Sequence, residues 1–253
     1  LRKRGLDKGA GRRLRADNIA IVLVEPKGAG NMGSVARVMR NTGFDDLRLV
    51  NPADFKNDEA FSMACNAVDL LVNSKVFHDL DSALEDVKIV AGATRRKGRT
   101  RFPLVTLNEA IEKIIEFSAN NRIAVLFGRE AHGLANDEIK KCDILFDIPS
   151  HDDYPSLNLS HAVLAFCLGV FTSKNPSEKS FELAPRGELV KMYEHLEETL
   201  RGIGYGEKGG EELLRTIMRN FQRLFGRTGL MEKEVNMLRG IFTQISARTG
   251  REK

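Results

Sequence analysis

No stretch of this chain approaches the roughly 20 consecutive apolar residues that a bilayer-spanning helix needs. The basic opening, LRKRGLDKGAGRRLRAD, is not followed by the apolar core and small-residue cleavage site of a secretory signal, so a cytoplasmic protein is expected. Cysteine is scarce: Cys65, Cys142 and Cys167 are odd in number and scattered, with no C-x-x-C pair and no histidine at ligand spacing. Neither a disulfide framework nor a metal site is indicated. There is also no G-x-S-x-G elbow, and no carboxylate is evidently placed to complete a Ser-His-Asp nucleophile. Internal repeats and low-complexity tracts are missing too.

What is present suits a globular chain of one large and one small domain: 253 residues, 42% of them hydrophobic and 29% charged. A formal net charge of +4 is compatible with a polyanionic partner but too small to establish one. The positive charge gathers in two places, a basic arm over residues 1–17 and the stretch RRKGRTR from Arg95 to Arg101. On its own, the second would pass for a solvated loop.

Asn18 to Val24 reads as a buried strand, PKGAGNMG as a glycine-rich turn, and Ser34 to Asn41 as a helix stopped by Gly43. DLRLVNP follows as a strand and completes a βαβ unit. The alternation continues with a helix at Ser62 to Asn73, strands at Lys75 to Phe77 and in VKIVAGAT, a helix at Leu107 to Phe117, and strands in RIAVLFG and DILFDIP. Between these last two, LANDEIKKC reads as a short helix capped by Asn136 or Asp137. The segment SLNLSHAVLAFCLGVF is apolar nearly all round, as a buried helix is. The expected fold is α/β, a mainly parallel sheet with helices on both faces, over residues 18–172. Residues 173–186 are polar and proline-punctuated and read as a linker. Residues 187–253 have a helical period and predict a small three-helix bundle. Leu213, Leu214, Ile217, Phe221 and Leu224 share one apolar face, and Val235, Leu238, Ile241, Phe242 and Ile245 another.

Three constellations can carry chemistry. Asn31-x-Gly33-x-x-x-Arg37 follows the first strand, where helix N-termini offer free amides to anions; it reads as a phosphate-binding turn or as a plain glycine turn with a surface arginine. A dinucleotide-binding turn is disfavoured, because the next strand closes on Asn51 rather than on an acid. Leu126 to Gly133 is again a strand followed by a glycine loop, where Glu130 can orient a cation and His132 is either a base or an ordinary loop residue. Tyr154 to Ser160 opens the apolar helix, with Ser156 or Asn158 as its cap.

In this order and register the three segments resemble the signature motifs of the SpoU branch of the SPOUT RNA methyltransferases. The likeness runs over nearly the whole chain after Asp17, towards enzymes that methylate the ribose of the first anticodon-loop nucleotide of tRNA, nucleotide 32. The resemblance implies S-adenosylmethionine as cofactor, with the methyl group passing to a 2′-hydroxyl of cytidine, uridine or both. It also implies a C-terminal trefoil knot in the sheet domain, a homodimer, and neither DNA nor a membrane as partner. By the same likeness Thr94, Phe127, Gly128, Glu130, Gly133, Ile148, Leu157 and Asn158 border the cofactor, and Asn31, Arg37 and Ser156 are catalytic positions. Arg37, Arg95, Arg96, Lys97, Arg99 and Arg101 become RNA contacts; Arg215, Arg219 and Arg223 of the helical region either extend that surface or form a solvated face. Arg37 is the family's proposed base, yet arginine resists deprotonation. A transiently neutral Arg37 and a cationic Arg37 that clamps phosphate are therefore both open. Two alternatives are a ribosomal RNA 2′-O-methyltransferase of the same family and an RNA-binding protein that has lost catalysis.

Overall fold

The central strand of the sheet is buried along its whole length, as its unbroken aliphatic sequence IAIVLV demands. The computed structural model describes residues 16–95, 103–154, 156–173, 182–207 and 210–249. Arg96, Lys97, Arg99, Arg101 and most of the basic arm and of the expected linker lie outside the described residues. Strands β1 (Ile19–Val24), β2 (Asp46–Val50), β3 (Lys75–Phe77), β4 (Ile89–Ala93), β5 (Val105–Thr106), β6 (Ile123–Phe127) and β7 (Ile144–Asp147) form one sheet in the order β3-β2-β1-β6-β4-β7-β5. Every pairing in it is parallel.

Alternation along the strands divides the core. Ala20, Val22, Val90, Ala124, Leu126 and Leu145 pack with Leu80 and Ala83 of α4 (Leu80–Ala83) and Ile139 of α6 (Asn136–Lys140). Phe127 and Phe146 point to the other face, where their rings lie 6.2 and 5.9 Å from Phe166 of α7 (Leu159–Thr172). Helices thus cover both faces, as expected.

Several boundaries differ from the sequence reading. Helix α1 spans Ala29–Thr42 with Gly28 as its N-cap, so the second half of the glycine-rich segment is helical rather than a free turn. The expected helix over Ser62 to Asn73 is broken into α2 (Asp58–Ala64), a 3-10 turn (Cys65–Ala67) and α3 (Val68–Val72), because Cys65 takes a φ of 52°. Gly33 is required by this packing: a Cβ there would lie 2.1 Å from the Ala60 carbonyl oxygen of α2. Neither Asn136 nor Asp137 caps α6. Both lie inside it, and Glu138 reaches back to accept the Ala135 amide at 2.7 Å. Asn158, not Ser156, caps α7 by accepting from the Ser160 amide at 2.8 Å. The remaining helix of this unit, α5 (Leu107–Ser118), begins with a Thr106/Glu109 capping box.

By contacts the chain divides at Ser180 and Phe181. The second unit comprises α8 (Arg186–Gly202), α9 (Gly210–Thr228) and α10 (Glu232–Thr249) around Leu189, Met192, Leu196, Leu214, Met218, Val235 and Phe242. Leu183 and Ala184, expected in the linker, are buried, and the Ala184 amide donates to the Leu230 carbonyl at 2.7 Å. Leu213, Leu224, Ile241 and Ile245 are exposed, so the expected apolar faces were drawn too wide for a three-helix core. Arg223 is buried, which removes it from the RNA-facing set. Among the described residues no helix is long and apolar enough to cross a membrane.

At the amino ends of the strands lies an ion cluster. Arg48, only 2% exposed, donates to Asp46 at 2.8 Å and Asp86 at 2.6 Å, while Arg122 and Lys75 also reach Asp46, at 2.5 and 3.1 Å. Burial pushes the Asp46 carboxyl upward, but the guanidinium groups of Arg48 and Arg122 outweigh it and hold it well below the usual carboxylate range. Arg48→Met should cost about 3 kcal/mol in urea unfolding, towards the low end for a broken buried pair because Asp46 keeps Arg122 and Lys75. A loss below about 1 kcal/mol would show that the cluster behaves as surface charge.

Candidate functional site

The carboxyl ends of β4, β6 and β7 meet the start of α7 around a pocket of about 360 Å³, within the range of roughly 300–1,000 Å³ typical of small-molecule sites. Ala93, Thr94 and Arg95 line it after β4, Phe127 to Leu134 after β6, Asp147 and Ile148 after β7, and Ser156, Leu157, Leu159 and Ala162 at the helix. Strand ends of a parallel sheet are where backbone groups become free to meet a ligand. The loop after β6 is folded tightly on itself. Gly133 has a φ of 62°, its amide donates to the Arg129 carbonyl at 2.8 Å, and a Cβ on Gly128 would lie 2.1 Å from the Gly133 carbonyl carbon. Only glycine fits at 128.

Glu130 leaves this loop and reaches the start of α1. Its carboxylate accepts from the amides of Gly28 at 2.9 Å and Lys27 at 3.1 Å and from Asn31 Nδ2 at 3.1 Å. Helix α1 has no acid in its first turn and no side-chain cap of its own, so a remote carboxylate does that work, as does Glu59, which accepts from the Gly30 amide at 3.3 Å. Asn31 turns its other atom to the third segment: Oδ1 accepts from Asn158 Nδ2 at 2.9 Å. The three sequence constellations are thus joined by Glu130, Asn31 and Asn158.

Of the residues singled out by the sequence, Thr94, Arg95, Phe127, Gly128, Glu130, His132, Gly133, Ile148, Ser156 and Leu157 line the pocket. Asn31, Arg37 and Asn158 do not. Asn31 and Asn158 lie in the network beside it, and Arg37 is exposed on α1 without a hydrogen bond or ion pair among the described residues. Arg95 is not free for phosphate, since Nη1 pairs with Asp147 at 2.7 Å and Nη2 with Asp152 at 3.1 Å. Sequence reading missed Asp147 and Arg129. The signal for Asp147 was its place at a strand's carboxyl end; Arg129 had none, because its partners Glu25 and Glu138, at 2.7 and 3.0 Å, are remote or beyond the loop.

Burial raises the pKa of Glu130, but the amides of Gly28, Lys27 and Asn31 outweigh it and hold it below the ordinary carboxylate value. A depressed carboxyl contributes stability that is fully present above its unfolded value and is lost as pH falls through the folded one. Glu130→Gln should therefore cost roughly 1–2 kcal/mol at neutral pH, discounted for partial exposure, with the gap to wild type closing only in acid below about pH 4. Urea unfolding across pH measures this; a gap that stays constant into acid would show that the charge is not the source.

Residues 18–168 match the SpoU rRNA Methylase family, and residues 187–253 match the C-terminal domain of tRNA methyltransferase TrmJ. The tRNA (cytidine/uridine-2′-O-)-methyltransferase TrmJ of Sodalis glossinidius is 35% identical over 235 residues, covering 90% of this chain and 91% of that protein. The tRNA (cytidine/uridine/adenosine-2′-O-)-methyltransferase TrmJ of Pseudomonas aeruginosa is 35% identical over 243 residues, with 90% and 93% covered. The crystal structure of TrmJ from Z. mobilis ZM4 superposes with a TM-score of 0.71 at 31% identity, covering 89% of this chain and 98% of that one. With a fold, a pocket and a motif network of this kind, and with relatives matching along nearly its whole length, the chain belongs to the SpoU methylase family.

Proposed function

We propose that this chain transfers the methyl group of S-adenosylmethionine to a ribose 2′-hydroxyl of tRNA, at the first nucleotide of the anticodon loop. The observation that carries the reading is the Glu130–Asn31–Asn158 network, which ties all three family motifs to one pocket. The relatives' names differ in the bases accepted, cytidine and uridine in one and adenosine as well in the other, which suits a reaction at ribose.

The residues present fit the cofactor. Phe127, Ile148, Leu157 and Leu159 offer apolar walls, and Thr94, Asp147 and Ser156 a few polar groups. When bound, S-adenosylmethionine supplies an electrophilic methyl group on a sulfonium. In this reading Thr94, Phe127, Gly128, Gly133, Ile148 and Leu157 hold it, while Glu130 and Asn158 shape the walls from behind. Asn31 and Ser156 orient the ribose at the pocket mouth. Arg37, exposed and without a hydrogen bond or ion pair among the described residues, clamps the adjoining phosphate with its guanidinium and stabilises the charge that grows on the hydroxyl oxygen as its proton passes to solvent water. Arg96, Lys97, Arg99 and Arg101 extend the phosphate-tracking surface.

The same reading divides the chain into a catalytic domain over residues 18–172, knotted at its C-terminal end as in the family, a linker over 173–186 and a helical domain over 187–253. It places the enzyme in the cytoplasm and makes it a homodimer. Support for the dimer is the stripe of Leu164, Leu168 and Phe171, which are 39%, 47% and 39% exposed at four- and three-residue steps on α7.

Tritiated-methyl transfer to bulk tRNA and to ribosomal RNA, assayed separately, tests the function. Labelled tRNA and unlabelled ribosomal RNA are expected, and Arg37→Ala should lower transfer by at least about 10²-fold while leaving S-adenosylhomocysteine binding intact. Label on ribosomal RNA alone would move the substrate, and label on neither would leave an RNA-binding protein. For the dimer, Leu168→Glu should shift the sedimenting species from dimer to monomer; an unshifted dimer would mean that another face is used.

A further inference from the structure

The parallel ladder between β4 and β7 ends beside the pocket. Its last backbone link is the Thr94 amide donating to the Phe146 carbonyl at 2.9 Å. One residue further on, the two chains are held together by side chains instead: Arg95 Nη1 donates to Asp147 Oδ2 at 2.7 Å. Both residues line the pocket, and they flank Thr94 on one wall and Ile148 on the other. The second arm of Arg95 reaches Asp152 at 3.1 Å, in the segment leading to Ser156, but that carboxylate is 98% exposed and holds little. The other oxygen of Asp147, Oδ1, is buried and has no hydrogen-bond partner among the described residues. A buried carboxylate oxygen left without a donor is costly, and such an exception calls for an explanation. Among the described pocket residues, the guanidinium of Arg129 is held by Glu25 and Glu138 rather than by Asp147.

We propose that Asp147 is a cofactor-binding residue whose Oδ1 accepts a hydrogen bond from an O–H or N–H donor of S-adenosylmethionine, and that Arg95 is a positioning residue acting through Asp147 rather than an RNA ligand. The inference rests on the cofactor reading above. Arg95 holds the carboxylate turned so that one oxygen is left over for the ligand. Filling the pocket brings the missing donor, with a small shift of the loop that the weak Asp152 contact allows.

Titration calorimetry of the full chain with S-adenosylhomocysteine tests this, with thermal unfolding of each ligand-free variant as a check on folding. Asp147→Asn and Arg95→Ala should each raise Kd about tenfold or more, the size expected when a buried charged hydrogen bond is lost. Arg95→Lys should recover part of the loss, and Asp152→Ala should change Kd less than about twofold, as an exposed pair does. The salt dependence of tRNA binding should be the same in wild type and Arg95→Ala, because no phosphate contact is lost. Unchanged Kd values in Arg95→Ala together with a shallower salt slope would overturn the proposal and return Arg95 to the RNA surface. If Asp147→Asn fails to fold, Arg95→Ala and Arg95→Lys decide the question alone. A wild-type chain that binds no S-adenosylhomocysteine would overturn the cofactor reading and this inference with it, whereas tight wild-type binding with unaltered variants would overturn only the assignment to Arg95 and Asp147.

Discussion

The Glu130 carboxylate is the point at which separate parts of the chain become one site. It accepts the amides of Lys27 and Gly28 and the side-chain amide of Asn31, and so supplies the N-terminal capping that α1 lacks in its own sequence. Because Asn31 then presents its oxygen to Asn158, the start of α7 is oriented by the same charge. One carboxylate on the β6 loop thus sets where two helices begin, and the pocket lies between that loop and the second of them. The amide orientation of Asn31 follows directly, since only its nitrogen can face a carboxylate.

Charge is divided between the two ends of the sheet. At the amino ends Asp46, Arg48, Asp86, Lys75 and Arg122 pair with one another in a partly buried cluster. At the carboxyl ends the pairs are arranged around an opening, Arg129 between two acids and Arg95 on Asp147, while Arg37 on α1 is exposed and has no partner among the described residues. An arginine already held by two carboxylates is a poor phosphate ligand, because the incoming anion must displace them. The free guanidinium on α1 and the paired ones in the pocket wall therefore have different work, although a sequence reads them alike.

Glycine illustrates the same division at the level of backbone. In the sequence, Gly28, Gly30 and Gly33 resemble a flexible turn, yet Gly30 and Gly33 are helical residues, and Gly33 is kept small by the Ala60 carbonyl of α2. Their spacing was visible; what they make room for was not. Gly43 is the opposite case: a helix stop read correctly from the sequence, with a φ of 82°.

By itself the sequence determined the βαβ alternation, the parallel sheet, the helical second unit and the three segments that border the site. Those features follow from hydrophobic period and local turn chemistry, which act over a few residues. Tertiary structure decided the rest: the start of α1, the break at Cys65, the loss of Arg223 to a core, the ion pairing of Arg95, and an oxygen of Asp147 that has no hydrogen-bond partner among the described residues. Each of these depends on a neighbour distant in the chain, such as Glu130 for α1 or Asp147 for Arg95. Hydrogen bonds and ion pairs act over a few ångströms whatever the sequence separation, so no local pattern could have announced them.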